Sequence, residues 1–476
     1  MPHIEKLTPL DAAMPRTYIR VLLVFHAASP SRSVTETLQD GLDKLSEQVP
    51  WLSGRVFATE GSKGCEIRYE EGDRAPLLVD KGTIARAALD DTPPEVWPVS
   101  GSVLEDGAPV FAASIFRFTP LPAGANNEQS EETESKSVGL CVCIHHNAVD
   151  ATGLTEIIKL WAENVKNGSL AVYPSAGGKE RRPRPVQLSE ALSPDLADLE
   201  TSGTGTDDLL ALHPEYSALP PALPSAQTEC TSKLFTISTH WLNTLKQLLH
   251  KHTPKPPSTN TLLCALLWTT ITRVRSRRDG SLGTKTSRLV TAVNGRSRLN
   301  MTSHSESESQ RPYLGNAVLY ALTTYPAVDL ASSTSDADPD PCAYPMRSLA
   351  AICEHISASQ GPSTISKRHI AEVYALHESA RPLFPGWDLF GSRDVVVTSW
   401  ADQGLYEVDF GEALGCPGAV RLPGLEERVF ADGVVLVLPR CRGKGEAERL
   451  EVSVMLRRDD MVALEGDSLW QTLVSV

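Results

Sequence analysis

Two adjacent histidines, followed closely by an aspartate and a glycine, form the stretch of this chain best suited to chemistry. His145 and His146 end an apolar, β-rich run, Asp150 follows in a turn, and Gly153 stands three residues later. An imidazole is the side chain best matched to accepting a proton near neutral pH, and a strand end holds it rigidly. If His146 is the general base, its reactive nitrogen must face a cleft. Asp150 could then bond the imidazole, cap the following helix or pair with a distant cation.

Two other interpretations of these residues stay open at this point. A histidine at a strand end can be a structural residue with its hydrogen bonds satisfied. Two histidines and a carboxylate are also ligands that zinc prefers, but adjacent strand residues point to opposite faces, so His145 and His146 cannot easily share one ion. No further Cys/His cluster in the sequence supplies the missing ligands. We therefore expect no bound metal.

A strand and a helix must position these residues. Val138–Ile144 has the length and apolar content of a buried strand. After Gly153, apolar residues recur at helical spacing. They are Leu154, Ile157, Ile158, Trp161 and Val165.

Composition narrows the class of protein. The chain has 476 residues, 41% of them hydrophobic and 22% charged, which is typical of a soluble globular protein with two domains. Its net charge of −14 argues against nucleic acid or an anionic membrane as a partner. Nine scattered cysteines without a CxxC pair suit a reducing compartment, so we predict a cytoplasmic protein. The apolar run Val21–Ala28 is too short to span a membrane and is predicted to belong to a first core strand.

The pattern along the chain predicts two structured halves joined by a crossover. The first half contains strands at Tyr18–Phe25 and Phe111–Phe118, a helix at Val34–Gln48 and an acidic loop at Asn126–Lys136. Residues 173–228 are rich in Pro, Gly and Thr and lack sustained periodicity, so they are predicted to link domains 1–172 and 229–476.

The second half begins with a strand at Cys230–Ile237 and contains a long helix pattern at Ser258–Arg278. Four arginines crowd the end of that helix, where they either form a solvated turn that complements the helix dipole or attract phosphates. Strands at Asp394–Trp400, Val434–Leu438 and Leu450–Leu456 follow, and Asp459–Leu473 is predicted to be the last helix.

The stretch HHNAVDATG resembles the HHxxxDxxG signature of the BAHD-like acyltransferases, which transfer acyl groups from coenzyme A to alcohols or amines. Condensation domains of peptide synthetases share a related motif but usually have Gly directly after the Asp, where this chain has Ala151. Further blocks of the family follow in its order. They are LTPLD at 7–11, NGRSRL at 294–299, PYLGN at 312–316, and DVVVTSW at 394–400 followed by DFG at 409–411.

The resemblance implies roles for residues of these blocks. His146 would be the general base, and Asp150 would form a salt bridge with Arg296 or Arg298 rather than take part in the reaction. Thr398 and Trp400 would donate hydrogen bonds to the developing oxyanion; the alternative for Trp400 is a core residue at a strand end.

The same resemblance implies supporting and coenzyme-binding residues. Support of the active site is assigned to Gly153, Arg296, Asp409 and Gly411, and coenzyme binding to Ser258, Thr259, Arg298, Tyr313 and Asn316. The family's second signature reads DFGWG, whereas this chain continues from Gly411 with Glu412 and Ala413. Because that motif shapes the domain interface and the coenzyme channel in the family, the departure affects the channel more than the chemistry.

The resemblance implies an α/β (α+β) fold of two chloramphenicol-acetyltransferase-like domains, each a mixed β-sheet flanked by helices, with an active-site tunnel at their interface. The implied enzyme is a monomeric acyl-CoA-dependent O-acyltransferase (EC 2.3.1.-), with no permanently bound cofactor. We expect it to transfer acetyl from acetyl-CoA to a hydroxyl of a fungal secondary metabolite. The alternatives are a freestanding condensation-type enzyme that uses carrier-protein thioesters and a non-catalytic relative that only binds ligand.

Overall fold

The structure is a computed structural model, and it describes most of the chain. The described residues are 2–26, 32–59, 64–70, 75–84, 94–99, 104, 106–118, 137–167, 183–223, 229–301, 312–332, 346–379, 381–422, 432–442 and 448–474. The predicted loop at Asn126–Lys136 lies outside these ranges.

Strands and helices alternate along the described ranges. The strands are β1 (His3–Lys6), β2 (Tyr18–His26), β3 (Arg55–Ala58), β4 (Cys65–Tyr69), β5 (Leu78–Ile84), β6 (Ala108–Pro109), β7 (Phe111–Phe118), β8 (Ser137–His145), β9 (Tyr216–Ser217), β10 (Cys230–Ile237), β11 (Thr286–Asn294), β12 (Val318–Pro326), β13 (Phe384–Pro385), β14 (Val395–Ser399), β15 (Ala419–Arg421), β16 (Val434–Val437) and β17 (Leu450–Arg457). The α-helices are α1 (Pro9–Ala12), α2 (Arg32–Gln48), α3 (Ala151–Asn167), α4 (Arg184–Ser202), α5 (Thr206–Leu212), α6 (Thr239–Leu249), α7 (Thr259–Arg278), α8 (Ala327–Ser332), α9 (Met346–Gln360), α10 (Lys367–Glu378), α11 (Arg458–Glu465) and α12 (Ser468–Leu473).

The first large sheet holds the strand that ends in the two histidines. Its order is β15-β2-β8-β7-β5, and it is mixed because β5 and β7 run parallel while the other pairs are antiparallel. Strand β8 is buried at every residue, as expected for an apolar run at the centre of a covered sheet. Helix α3 packs against α2, where the Trp161 indole donates to the carbonyl of Leu38 at 2.9 Å. The predicted strand and helix around the histidines are thus confirmed.

The second large sheet is also mixed, in the order β10-β17-β16-β14-β11-β12. Strand β14 runs parallel to both β11 and β16, and β16 pairs antiparallel with β17. Helix α7 is buried on nearly all sides in the core that covers this sheet and is anchored by Trp268, whose indole donates to Ser287 Oγ at 2.8 Å. A helix buried all round explains its continuous apolar composition.

A segment of the second half crosses to the first sheet. Strand β15 pairs with β2, and Trp400, Leu405 and Phe410 pack into the core of the first half. The two halves are therefore interlocked by residues 400–421. The predicted domain boundaries at residues 172 and 228 lie in ranges that the structure does not describe. They stay a prediction.

The crossover contains α-helices that the sequence pattern did not predict. Residues 183–223 contain helices α4 and α5, and the buried face of α4 carries Leu188, Leu192 and Leu199. These leucines recur at helical spacing, but Pro183 before the helix and Pro194 within it disguise the pattern. They pack in a third core together with residues of α10.

Two expectations for the second half are corrected. Asp459–Leu473 is not one helix, because the first helix ends at Glu465 with Gly466 as its C-cap, and Asp467 caps a second helix by accepting from two backbone amides. The four arginines at the end of α7 do not all lie in a solvated turn: Arg273 and Arg275 are buried and paired with Asp467 and Asp432. Arg277 and Arg278 are exposed, and they pair with Asp467 and Asp460. No helix in the described ranges has the length and apolar content needed to cross a membrane.

Candidate active site

The two histidines at the end of β8 differ in burial and in hydrogen bonding. His145 is fully buried, its Nδ1 accepts from the backbone amide of Asn147 at 3.3 Å, and its ring meets the edge of Tyr18. Burial lowers the pKa of His145 to about 4. His146 is partly exposed, and its buried Nδ1 has no hydrogen-bond partner among the described residues. The second imidazole is therefore the one available for chemistry.

The backbone of His146 is fixed from two sides. Its amide donates to the carbonyl of Thr17 at 2.8 Å, and its carbonyl accepts from Asn316 Nδ2 at 2.9 Å. Burial lowers the pKa of His146, although the Asp150 carboxylate opposes this shift. A lowered pKa keeps the imidazole neutral near pH 7, which is the form that accepts a proton.

Asp150 is buried and links the two halves of the molecule through its hydrogen bonds. Its oxygens accept from the Gly153 amide at 2.9 Å, from the Ala317 amide at 3.0 Å, and from Arg296 Nη1 and Nη2 at 2.8 and 2.9 Å. Burial disfavours the carboxylate, but Arg296 and the hydrogen bonds outweigh it and hold the pKa of Asp150 below its ordinary value. Of the two arginines considered from the sequence, Arg296 forms the pair.

The remaining donors of Arg296 bind the PYLGN block. Its Nε donates to the carbonyl of Tyr313 at 2.8 Å and its Nη2 to that of Gly315 at 2.5 Å. The guanidinium is also 5.7 Å from the ring of Tyr313. A bidentate guanidinium–carboxylate pair with these further bonds is a rigid connection.

Asn316 and Tyr313, assigned to coenzyme binding from the resemblance, lie inside the protein. The backbone amide and the Nδ2 of Asn316 both donate to Asp11 Oδ1, at 2.7 and 2.9 Å. Asp11 also caps its own helix with Thr8. Asn316 thus joins the LTPLD block to the carbonyl of His146, and the side chain of Tyr313 is only 3% exposed. The structure places both residues where they position the His146 loop.

Gly153 is required by a close approach of the backbone. A Cβ at this position would lie 2.2 Å from the carbonyl oxygen of Leu314 and 3.0 Å from Cβ of Val149. The start of α3 therefore packs directly against the PYLGN block, and the glycine serves this contact rather than an unusual backbone angle.

Thr398 and Trp400 stand at the end of β14. Thr398 pairs in register with Leu436, and the amide of Trp400 donates to the carbonyl of Val437 at 2.8 Å. The indole is 5% exposed and belongs to the core of the first half. Beyond this strand, Gln403 Nε2 donates to Oγ1 of Thr152 at 3.4 Å. The end of β14 thus meets the start of α3, close to the motif that carries His146.

The other predicted coenzyme residues lie on the surface. Ser258 caps α7 by accepting from the Thr261 amide at 3.0 Å, and Oγ1 of Thr259 accepts from Lys246 Nζ at 3.2 Å. Arg298 follows Arg296 and donates to Oγ of Ser297 at 3.1 Å. The exposed amino end of a long helix beside a lysine is suited to binding phosphate.

Asp409 and Gly411 form a surface contact with α3. Asp409 Oδ2 accepts from Lys166 Nζ at 2.6 Å, and about half of that lysine side chain is exposed. Gly411 has a φ of +63°, and a Cβ there would lie 3.1 Å from the Cα of Lys166. Between them, Phe410 packs against Phe25 and Trp161. The DFG segment therefore fastens residues 400–421 to the first half.

Sequence reasoning missed two residues that hold the loop between His146 and Asp150. Arg184 of the crossover is buried and donates to the carbonyl of Ala148. Asn147 Nδ2 donates to the carbonyls of Asp11 and Met14 at 2.7 and 2.9 Å. An arginine between two prolines gave no local signal, whereas a polar residue in the middle of an apolar motif could have been recognised as a loop anchor.

The arrangement can support proton abstraction without a covalent enzyme intermediate. The nearest cysteines along the chain, Cys141 and Cys143, are buried in β8. Burial raises the pKa of the Cys143 thiol to about 12 and that of Cys141 still further. A thiol with such a pKa is a poor nucleophile at neutral pH. The reactive group that remains is the neutral imidazole of His146, a partly exposed residue on a rigid loop.

Family models match almost the whole chain. The model described as the Transferase family matches residues 132–469. The model of the trichothecene 3-O-acetyltransferase-like N-terminal domain matches residues 17–87. Together they include the histidine motif, the arginine block and the DFG segment.

Curated relatives are similar to this chain over nearly their full length. The O-acetyltransferase ptmV of Penicillium ochrochloron is 25% identical, with 98% of this chain and 95% of the relative covered. The trichothecene 8-O-acetyltransferase of Fusarium sporotrichioides is 26% identical, with 97% and 96% covered.

Solved structures share the fold. TRI101 of F. graminearum, crystallised with coenzyme A and T-2 mycotoxin, superposes with a TM-score of 0.70 at 19% identity, covering 99% of both chains. Vinorine synthase gives a TM-score of 0.60 at 15% identity, covering 99% of this chain and 94% of its own. These superpositions confirm the predicted α/β fold class.

Proposed function

The chain belongs to the Transferase family, and from that premise we propose that it is an acyl-CoA-dependent O-acyltransferase. We propose further that it transfers acetyl to a hydroxyl group of a small natural product of the kind that fungi make. The observation that carries the proposal is the partly exposed His146, whose backbone is held by hydrogen bonds from both halves of the molecule.

His146 is the general base of the proposed reaction. Because Nδ1 is buried, we assign the other ring nitrogen, Nε2, to the acceptor's hydroxyl proton. The hydroxyl oxygen attacks the thioester carbonyl of acyl-CoA as His146 takes that proton. The tetrahedral intermediate then collapses, the C–S bond breaks, and the imidazolium returns the proton to the departing thiolate. Asp150 holds the loop and takes no proton, since all its interactions are with Arg296 and backbone amides.

Thr398 and Trp400 are proposed to stabilise the oxyanion. A hydroxyl and an indole N–H are both hydrogen-bond donors, and a donor aimed at a developing oxyanion is worth about 3 kcal/mol in acyl transfer. Their support is the position of β14, whose end meets the start of α3 through Gln403 and Thr152.

The coenzyme is proposed to bind with its phosphates near the amino end of α7. Ser258, Thr259 and Lys246 are together there, and a local cation is needed because the protein's net charge is −14. TRI101 was crystallised with coenzyme A, which supports the same donor for this chain. We propose that the enzyme works in the cytoplasm, where its buried β8 thiols would stay reduced.

The acceptor is proposed to be a hydroxylated terpenoid, alkaloid or polyketide. Relatives are named as O-acetyltransferases of trichothecenes, of eremophilanes and of fumigaclavine B. These names cover acceptors of different chemical classes, as expected where one fold serves several functions.

The proposal is tested by thiol release from acetyl-CoA and longer acyl-CoAs against a panel of fungal alcohols, with mass spectrometry of the products. We expect His146→Ala to lower kcat about 10²–10⁴-fold and leave the melting temperature unchanged. The matched control His252→Ala, an exposed histidine, should keep full activity. Because the pKa of His146 is lowered, the acid limb of kcat/KM should lie below pH 6.5, the ordinary histidine value.

Near-normal turnover by a folded His146→Ala variant would contradict the assignment of the base. Activity with carrier-protein thioesters but none with free acyl-CoA would contradict the choice of acyl donor.

A further inference from the structure

A second group of buried histidines and carboxylates lies away from His146. The turn that follows α5 supplies His213 and Glu215, and the first turns of α10 supply His369 and Glu372. One donor atom from each of His213, Glu215 and His369 lies within 4.8 Å of the other two. We propose that these three residues form a binding site for a divalent transition metal, for which Zn²⁺ is the expected ion.

The distances match a metal site whose ligands are already close together. Glu215 Oε1 lies 2.9 Å from Nδ1 of His213 and 3.5 Å from Nε2 of His369. Ligands at bonds of about 2.0–2.1 Å in tetrahedral geometry stand about 3.3 Å apart. Only small side-chain movements are therefore needed, and a water or a further carboxylate oxygen would complete four-fold coordination.

Unused bonding capacity in the cluster points to a ligand. Nε2 of His369 makes no hydrogen bond and lies 3.5 Å from Glu215 Oε1, whereas Nε2 of the buried His213 faces Glu372 Oε2 at 3.3 Å. Within the described residues, the only basic partners of the buried Glu215 are these two imidazoles. A metal would bind the lone pairs of His213 Nδ1 and His369 Nε2, the two nitrogens that face Glu215, and would neutralise the buried carboxylate.

The surroundings orient the ligands. Glu372 Oε2 lies 3.3 Å from His213 Nε2, and Arg368 holds Glu372 by a 2.7 Å hydrogen bond. A carboxylate next to the second nitrogen of a ligating histidine fixes its tautomer and ring orientation. The turn itself is fixed, because the Tyr216 amide donates to the carbonyl of His213 at 3.0 Å. The side chains of His369 and Glu372 are 15% and 16% exposed, which gives an ion a path from solvent.

The position of the cluster indicates a structural role for the metal. The cluster joins the crossover to α10, and α4 of the same crossover packs in a core with α10. Arg184, at the start of α4, holds the carbonyl of Ala148 beside His146. A bound metal would therefore stabilise the crossover and, through Arg184, the loop of the general base. The inference does not depend on the proposed reaction.

The test measures metal directly on the full chain, expressed without a histidine tag. We expect about one equivalent of zinc per chain by mass spectrometry of the metal content, and visible absorption bands of four-coordinate Co²⁺ after exchange. Chelation followed by Zn²⁺ should lower and then restore the melting temperature by roughly 5 °C. His369→Ala should lose the zinc, while the matched control His240→Ala, an exposed histidine, should keep it.

Should His369→Ala fail to fold, the Co²⁺ spectrum and chelation of the wild-type chain still decide. A metal-free wild-type chain whose melting temperature does not respond to Zn²⁺ would overturn the proposal. Zinc content that is equal in the wild type and in a folded His369→Ala variant would do the same, because the ion would then bind elsewhere.

Discussion

Two aspartates, one in each recognisable motif, connect the halves of this protein in different ways. Asp150 is buried and accepts from Arg296 and two backbone amides. Asp409 lies at the surface and pairs with a half-exposed Lys166. A buried carboxylate held by several donors costs a great deal to disturb, whereas an exposed ion pair is screened by water. A motif residue should therefore be judged by its burial and its bonds.

The glycines beside the two aspartates show the same contrast. A Cβ at Gly153 would lie 2.2 Å from the carbonyl oxygen of Leu314. Gly411 has a left-handed backbone, and a Cβ there would lie 3.1 Å from both Cα and Cγ of Lys166. The first glycine allows two rigid backbones to meet, and the second allows a surface turn. The His146 loop should therefore be far more sensitive to substitution than the DFG segment.

Removal of the Asp150 carboxylate should have the largest effect on stability. Asp150→Ala leaves the buried Arg296 without its partner, and breaking such a pair costs about 3–5 kcal/mol. Activity should fall together with stability, because the loop that carries His146 loses its anchor. Chemical denaturation and thiol release on the same preparation measure both. A clean loss of rate with unchanged melting would show that Asp150 acts in the reaction instead.

Lowering the pH should cause the second-largest loss of stability, in the region around His146. The pKa of His145 is about 4 in the folded protein against about 6.5 in an unfolded chain. Between these values only the unfolded chain binds the proton, so stability should fall as the pH drops from about 6.5 to 4, by roughly 3 kcal/mol in total. Urea denaturation at several pH values measures the slope. His145→Gln should flatten it, and an unchanged slope in that variant would assign the effect to other groups.

The substitution Gly153→Ala should cost less, about 1–3 kcal/mol. The added methyl would have to displace the backbone of Leu314, which the bonds of Arg296 to Tyr313 and Gly315 hold in place. Thermal unfolding measures the effect. The control is Gly283→Ala, where a Cβ would meet nothing within 4 Å. Equal melting temperatures for both variants would show that the packing at Leu314 can relax.

The sequence predicted those parts of the site that depend on local pattern. The apolar run of β8, the helix spacing of α3 and the arginine that pairs with Asp150 follow from periodicity or from an ordered family resemblance. The coenzyme-binding roles that the resemblance assigned to Tyr313 and Asn316 do not follow from local pattern. Whether a polar residue faces a ligand or the protein interior depends on packing that leaves no trace in local sequence.

Contacts between distant segments that no family motif covers could not be predicted. Arg184 reaches the carbonyl of Ala148 from a crossover whose prolines hide a helix, and His213 meets His369 only because α5 and α10 pack together. Local periodicity reports the face that an element buries. It does not report which other element covers that face, and both of these contacts depend on that information.

The exposed pair should show the smallest effect. Asp409→Asn removes the charge that faces Lys166 and keeps an oxygen that can accept from the Gly411 amide, as Asp409 Oδ1 does at 2.9 Å. Since both side chains are substantially exposed, we expect melting temperature and kcat to stay within error of the wild type. Phe410 should hold the segment instead, because it packs against Phe25 and Trp161. A loss of stability comparable to that of Asp150→Ala would contradict the comparison, since the surface pair would then carry the interlock between the halves.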